Sequence, residues 1–137
     1  MAEPMDVELV SPERILFSGQ ATMVVCRTLD GEIAFMANHA PLIGLLGIGP
    51  VRIYDGDRLV ERAAVHGGFV EVSNNKVTIL SDVAELASSI DVRRAEEARA
   101  RAEAEVARGG NEPDDAAVAA LRRAEVRLEV ASAARAA

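Results

Sequence analysis

The chain changes its physical period near Ser88. Before that point it is a succession of short Val-, Ile- and Gly-rich runs; beyond it the residues are mostly Ala, Glu and Arg. A period of two and a period of 3.6 belong to different layers of structure, so the switch predicts two modules. These are a β domain over residues 1–87 and an α-helical hairpin over residues 88–137. A chain of 137 residues holds one modest core plus a small appendage, which leaves little room for a large cofactor enzyme.

Within the first module, residues 5–10, 21–29, 50–54, 59–65, 69–73 and 76–81 read as strands separated by Gly, Pro, Asn and Asp. Tyr54-Asp55-Gly56-Asp57-Arg58 and Ser73-Asn74-Asn75-Lys76 fit hairpin connections, with Gly56 taking a positive φ. Connections this short leave no space for crossover helices, so the strands pair antiparallel in a β-sandwich or flattened barrel. In Lys76-Val77-Thr78-Ile79-Leu80 both faces carry apolar groups, which predicts partial cover on both sides. Gly44, Gly47 and Gly49 superficially suggest a phosphate loop, but no Lys-Ser/Thr follows and Pro50 lacks an N–H; they read as turn glycines between strands.

In the second module Val92, Ala95, Ala98, Ala102 and Val106 recur at helical spacing and leave Arg93, Glu97, Arg101 and Glu105 on more exposed faces. Asp91 is placed to cap this helix and Gly109-Gly110 to end it. Asp114 or Asp115 then opens a second helix with Val118, Leu121, Ala124 and Leu128 along one side. A seam of alanines buries little apolar area, so the hairpin either opens readily or packs stably on the sheet.

Composition narrows the chemistry. The net charge is -7, with 12 acids against 6 bases before residue 89 and 10 against 9 after it, which disfavours nucleic acid and anionic lipid as partners. No apolar run approaches the ~20 residues of a membrane span, and direct membrane insertion is not expected. Cys26 is alone and lies in Met23-Val24-Val25-Cys26, the setting of a buried thiol. Two histidines and one cysteine without ligand spacing give no zinc site. His66, before Gly67-Gly68, reads as structural at a strand boundary, whereas His39 in Ala37-Asn38-His39-Ala40-Pro41 either fixes a loop or touches a partner. Ser18 sits in a turn-like Phe17-Ser18-Gly19 with no nucleophile elbow, so nothing points to a self-contained catalyst. Arg94, Arg123 and Arg127 either converge on a phosphate or carboxylate when the hairpin closes, or are solvated and paired along their own helices, Arg94 with Asp91 or Glu97.

In order and spacing, Val10-Ser11-Pro12-Glu13, Leu16-Phe17-Ser18-Gly19, Asn38-His39-Ala40-Pro41-Leu42, Val65-His66-Gly67-Gly68-Phe69-Val70-Glu71-Val72, Val77-Thr78-Ile79-Leu80-Ser81-Asp82 and Ile90-Asp91-Val92-Arg93-Arg94-Ala95 resemble the epsilon-subunit family of bacterial F-type ATP synthases, the counterpart of the mitochondrial delta subunit. The resemblance covers residues 5–130. It implies an antiparallel β-sandwich docked on the gamma subunit and on the polar loops of the c ring, followed by a two-helix hairpin. It further implies a non-catalytic rotor subunit at the cytoplasmic face of the bacterial cell membrane, with no required cofactor. Glu32 and the loop Ala37 to Leu42 resemble the region nearest the c ring, with Glu32, Asn38 and His39 as the implied contacts. In relatives the hairpin extends along gamma into the alpha/beta catalytic head and restrains ATP hydrolysis.

Some relatives bind a regulatory ATP on the closed hairpin through a signature that Ile90, Asp91, Arg94 and Ala95 match. Arg123 and Arg127 resemble its cationic pair, and Glu85 falls where an accompanying residue sits. The tail departs from a strongly basic end, because only Arg135 follows Arg127. A free-standing ATP-sensing module is the competing reading of the same arginines.

Overall fold

A computed structural model describes residues 2–136, with side chains through Ser132, so Arg135 lies outside the described side chains. Eight strands precede two helices: β1 (Met5–Val10), β2 (Ile15–Ala21), β3 (Met23–Thr28), β4 (Gly31–Met36), β5 (Leu42–Asp55), β6 (Arg58–Ser73), β7 (Lys76–Leu80), β8 (Ala84–Leu86), α1 (Val92–Arg108) and α2 (Asp115–Ala136). The hydrogen-bonded order is β2-β1-β7-β6-β5-β3-β4, with β8 on the free stretch of β6. This is the expected β-sandwich followed by a helical hairpin. One pairing departs from the antiparallel rule: β1 lies parallel to β7, because the β1–β2 hairpin lies beside the second strand of the β6–β7 hairpin.

The two long strands organise the sandwich. The first part of β5 and the last part of β6 pair in line with β7, β1 and β2, while their other ends pair with β3 and β8. The bend of β6 falls at Gly67 and Gly68, whose φ angles of 89 and 122 are open to glycine. His66 therefore stands inside a continuous strand and not at its boundary. Gly44, Gly47 and Gly49 also lie within β5 and not in turns, and none has positive φ. At Gly49 a Cβ would stand 2.7 Å from Arg27 Cβ, so the residue permits close approach of β3. Ser18 and Gly19 are likewise in strand β2, an edge strand whose alternation is diluted by polar residues.

One core joins the layers, with Val7, Leu9, Val24, Phe35, Val51, Ile53, Val70, Val77 and Ile79 at most 1% exposed. Cys26 is part of it, and burial, with Glu32 adding a smaller push, raises its thiol to about 12. On the other face of β7, Leu80 is 44% exposed while Lys76 and Thr78 are half-buried, so that face is partly covered.

Asp91 caps α1 by accepting from the Arg94 backbone N–H at 3.1 Å. Asp114, the first of the two candidate openers, serves α2: its Oδ1 accepts from Ala116 N–H and its carbonyl from Val118 N–H. Helix α1 packs chiefly on α2, and α2 rests on β5, β6 and the 3-10 turn at Ala87–Ser89. The buried side chains of α1 are Ala95 and Ala102; α2 buries Ala117 and Ala124 at the same seven-residue spacing. A second stripe of α2, Val126 and Val130, closes on Ala64 of β6 with Ile48, Ala87 and Ile90 around it. The expected stripe of Val118, Leu121, Ala124 and Leu128 is thus corrected, since α2 has two covered sides and Val118 is 43% exposed. Among the described residues no helix is long and apolar enough to cross a membrane, and no group of three or more His, Cys, Asp or Glu converges to hold a metal.

Candidate functional site

The junction of hairpin and sheet gathers charge. Glu85 pairs through β8 with Ala64, which brings its carboxylate to the face covered by α2. There Arg127 Nε donates to Glu85 Oε1 at 2.5 Å, with the two side chains 26% and 31% exposed. This arrangement engages Nε with Glu85 and leaves the two terminal nitrogens of Arg127 for another acceptor.

Beneath the pair lies His66, with its side chain 2% exposed and Nε2 3.6 Å from Glu85 Oε1, beyond hydrogen-bond range. Neither ring nitrogen has a partner. Burial, and then the Arg127 guanidinium, push the imidazole down to about 4, so it is neutral at ordinary pH and adds no positive charge beside Arg127.

Asp91, Arg94, Ala95, Ala98, Arg101 and Arg127 line an open groove of about 350 Å³. It continues into a hollow of about 580 Å³ between the helices, where Arg101 and Arg127 are joined by Arg108 and Arg123. The first volume falls within the ~300–1,000 Å³ of small-molecule sites. Glu97 is engaged by Arg93 at 3.4 Å, Glu103 by Arg99 at 3.4 Å and Glu105 by Arg108. Among the described residues no carboxylate stands within ion-pair distance of Arg94, Arg101 or Arg123. The groove is therefore rich in unneutralised guanidinium groups, whose planar forks suit oxyanions of phosphate or carboxylate type.

Of the candidates, Asp91, Arg94, Ala95 and Arg127 share this groove, Arg123 lines the adjoining hollow, and Glu85 is bonded to Arg127. Ile90 is elsewhere in role: it packs on Ala64, Val126 and Val130 and joins hairpin to sheet. Arg101, expected on an exposed face, lines both hollows. The signal that finds it is its distance of seven residues from Arg94, two helical turns along the same face.

The second set of candidates is dispersed. Glu32 pairs with Arg52 at 3.3 Å near the start of β4. Asn38 and His39 follow its other end, roughly 20 Å away at the rise of a strand. Asn38 adopts φ 63; its backbone N–H donates to Asn75 Oδ1 at 2.8 Å and its side-chain amide donates to Glu3 at 2.8 Å. His39 sits edge-on to Phe35 at 5.0 Å with Nδ1 2.7 Å from the Ala40 carbonyl, so it does fix its loop.

A further surface has no counterpart among the sequence-based candidates. On the outer face, Leu45, Phe69, Leu80, Val10 and Ile15 are successive cross-strand neighbours on β5, β6, β7, β1 and β2. Four of them are 44–59% exposed, and Ile43 beside them is 74% exposed. Farther along the same face the pairs become polar, with Lys76 on Glu8 at 3.1 Å and Gln20 on Asp6. A continuous exposed apolar row of this kind marks a contact surface.

Comparison with known proteins gives this architecture a lineage. The family model described as ATP synthase, Delta/Epsilon chain, beta-sandwich domain matches residues 4–87, and that described as its long alpha-helix domain matches residues 88–132. The chain is 47% identical over 133 residues to the ATP synthase epsilon chain of Streptomyces avermitilis, covering 97% of this chain and 99% of that one. It is 56% identical over 100 residues to the epsilon chain of Brevibacillus brevis, covering 72% and 75%. Its fold is similar to that of a chain in the mitochondrial ATP synthase of Euglena gracilis, with a TM-score of 0.65, 22% identity and coverage of 95% and 78%. A β-sandwich carrying a docked helical hairpin is the class defined by these likenesses. The chain belongs to the ATP synthase delta/epsilon family.

Proposed function

We propose that this chain is a non-catalytic rotor subunit that fastens gamma to the c ring at the cytoplasmic face of the bacterial cell membrane. The observation that carries this reading is the apolar row from Leu45 through Phe69 and Leu80 to Ile15, an exposed cross-strand row that suits a partner surface. The similar Euglena chain comes from a structure described as OSCP/F1/c-ring, which supports an assembly of that kind. Gamma covers the apolar row, while Glu32, Asn38 and His39 meet the c-ring loops at the two ends of β4. The chain is expected to copurify with gamma in a one-to-one ratio, and Phe69→Asp to abolish this; a chain that stays monomeric beside purified gamma contradicts the assignment.

The hairpin adds regulation. Its docked form binds ATP in the arginine groove, with Arg94, Arg101 and Arg127 on the phosphates and Arg123 beside them. ATP favours docking only through its preference for that state. When released, the hairpin reaches the alpha/beta head and restrains hydrolysis. Support comes from the unneutralised guanidiniums of the groove and from the narrow apolar seal on the sheet, made by Ala64, Val126 and Val130. Isothermal titration of the isolated chain with ATP is expected to show binding that Arg94→Ala and Arg127→Ala each weaken; no heat at millimolar ATP contradicts the site. A chain that binds ATP but not gamma is instead a free-standing sensor.

A further inference from the structure

We propose that His66, sealed between the sheet and α2 beneath the Glu85–Arg127 pair, is a proton-operated release for the helical hairpin, so that mild acid loosens α2 from the sheet. The release acts on docking in the isolated chain and is independent of whether the hairpin restrains hydrolysis. Its basis is positional: the ring is 2% exposed, has no hydrogen-bond partner, and lies on the strand face that α2 covers.

The groups around it set the sign. From β8 comes Glu85, whose carboxylate is already engaged by Arg127. From α2 come the guanidiniums of Arg127 and Arg123, both of which oppose a charge on the ring. Ile48 of β5, the cross-strand neighbour of His66, and Ala87 and Ile90 around the seal are apolar. Asp82, on the link after β7, lines a hollow next to His66 but is itself exposed.

While α2 is docked, a proton on His66 creates a buried cation beside two others. When α2 leaves, both arginines depart, water reaches the ring, and Glu85 remains as a partner for the imidazolium. The docked imidazole is pushed down to about 4, against about 6.5 for a free histidine. A lowered histidine stabilises docking above the free value and loses that contribution as pH falls from about 6.5 toward 4. Between about pH 7.5 and pH 5.5 the docking equilibrium falls by roughly tenfold.

The test uses the full-length chain with dyes on Asp57→Cys, in the β5–β6 turn, and Glu103→Cys, on α1. Energy transfer is expected to drop reversibly on going from about pH 7.5 to pH 5.5, and His66→Gln is expected to flatten the response. No change in the wild-type chain, or an equal change in His66→Gln, overturns the proposal. If His66→Gln fails to fold, the two imidazoles of the wild-type chain are followed by NMR. His66 is expected to titrate well below the ordinary imidazole range, and Val126→Asp, chosen to undock α2, to raise its midpoint toward about 6.5. A His66 midpoint that is ordinary while α2 is docked, or unmoved by Val126→Asp, overturns it.

Discussion

Arg127 on the second helix and Glu85 on the last strand meet at 2.5 Å, the one described ion pair that ties hairpin to sheet. It lies at the edge of the seal formed by Ala64, Val126 and Val130 and beside the arginine groove, so the same guanidinium holds the helix down and faces the groove. An anion held in that groove would be linked to docking through one side chain.

Replacing Glu85 by glutamine keeps an acceptor for Arg127 but removes its charge. With both side chains about a quarter to a third exposed, solvent screens the pair, and the expected loss is about 0.5–1 kcal/mol of hairpin docking. Urea unfolding of Glu85→Gln beside the wild-type chain, followed by helical circular dichroism, measures it. The difference shrinks in high salt.

The alanine seam gives a larger effect. Ala102 is 5% exposed between α1 and α2, and Ala102→Leu forces three further carbons into that space. Overpacking of this kind costs about 1–3 kcal/mol, so the helical signal melts at lower temperature while the sheet signal is retained. Coincident melting of both at the wild-type temperature contradicts the seam.

Two glycines separate backbone conformation from packing. At Gly56, with φ +61 and open space where a methyl group would stand, alanine costs on the order of 1 kcal/mol. At Gly68, with φ +122, a Cβ would stand 2.1 Å from the Leu80 carbonyl oxygen, and the strand pairing itself must shift. Gly68→Ala is expected to lose at least about 3 kcal/mol, or to yield no soluble protein, by the sum of strain and clash.

The elements legible in sequence are those written by local chemistry. The Asp91 cap, the Gly56 turn and the strand-to-helix order each depend on a few adjacent residues, and each is present. The first half of β5 is not legible, because Gly44, Gly47 and Gly49 look like turn residues although all three lie within the strand, where Gly49 lets β3 approach closely. Helix α2 misleads for a different reason. It covers α1 with alanines and the sheet with Val126 and Val130, and no single stripe describes two contacts. The arginine groove is half visible: Arg94, Arg123 and Arg127 can be named, but Arg101 needs the heptad relation to Arg94. His66 looks like a strand end until the bend at Gly67 and Gly68 carries β6 past it.

Cys26 supplies a probe of the core. Its thiol is 1% exposed and is pushed up to about 12, so the thiolate fraction at neutral pH is negligible. A thiol reagent is expected to label it only at the rate of unfolding, and quickly in denaturant. Prompt labelling of the native chain indicates an open sandwich.

The most direct test of a rotor subunit with a restraining hairpin is the ATP hydrolysis rate of the assembled complex, with the full chain and with a chain ending at Ser88. Faster hydrolysis is predicted once the helices are gone, with gamma still bound through the apolar row of the sheet. An equal rate in the two complexes, each containing one copy of the subunit, contradicts a restraining hairpin.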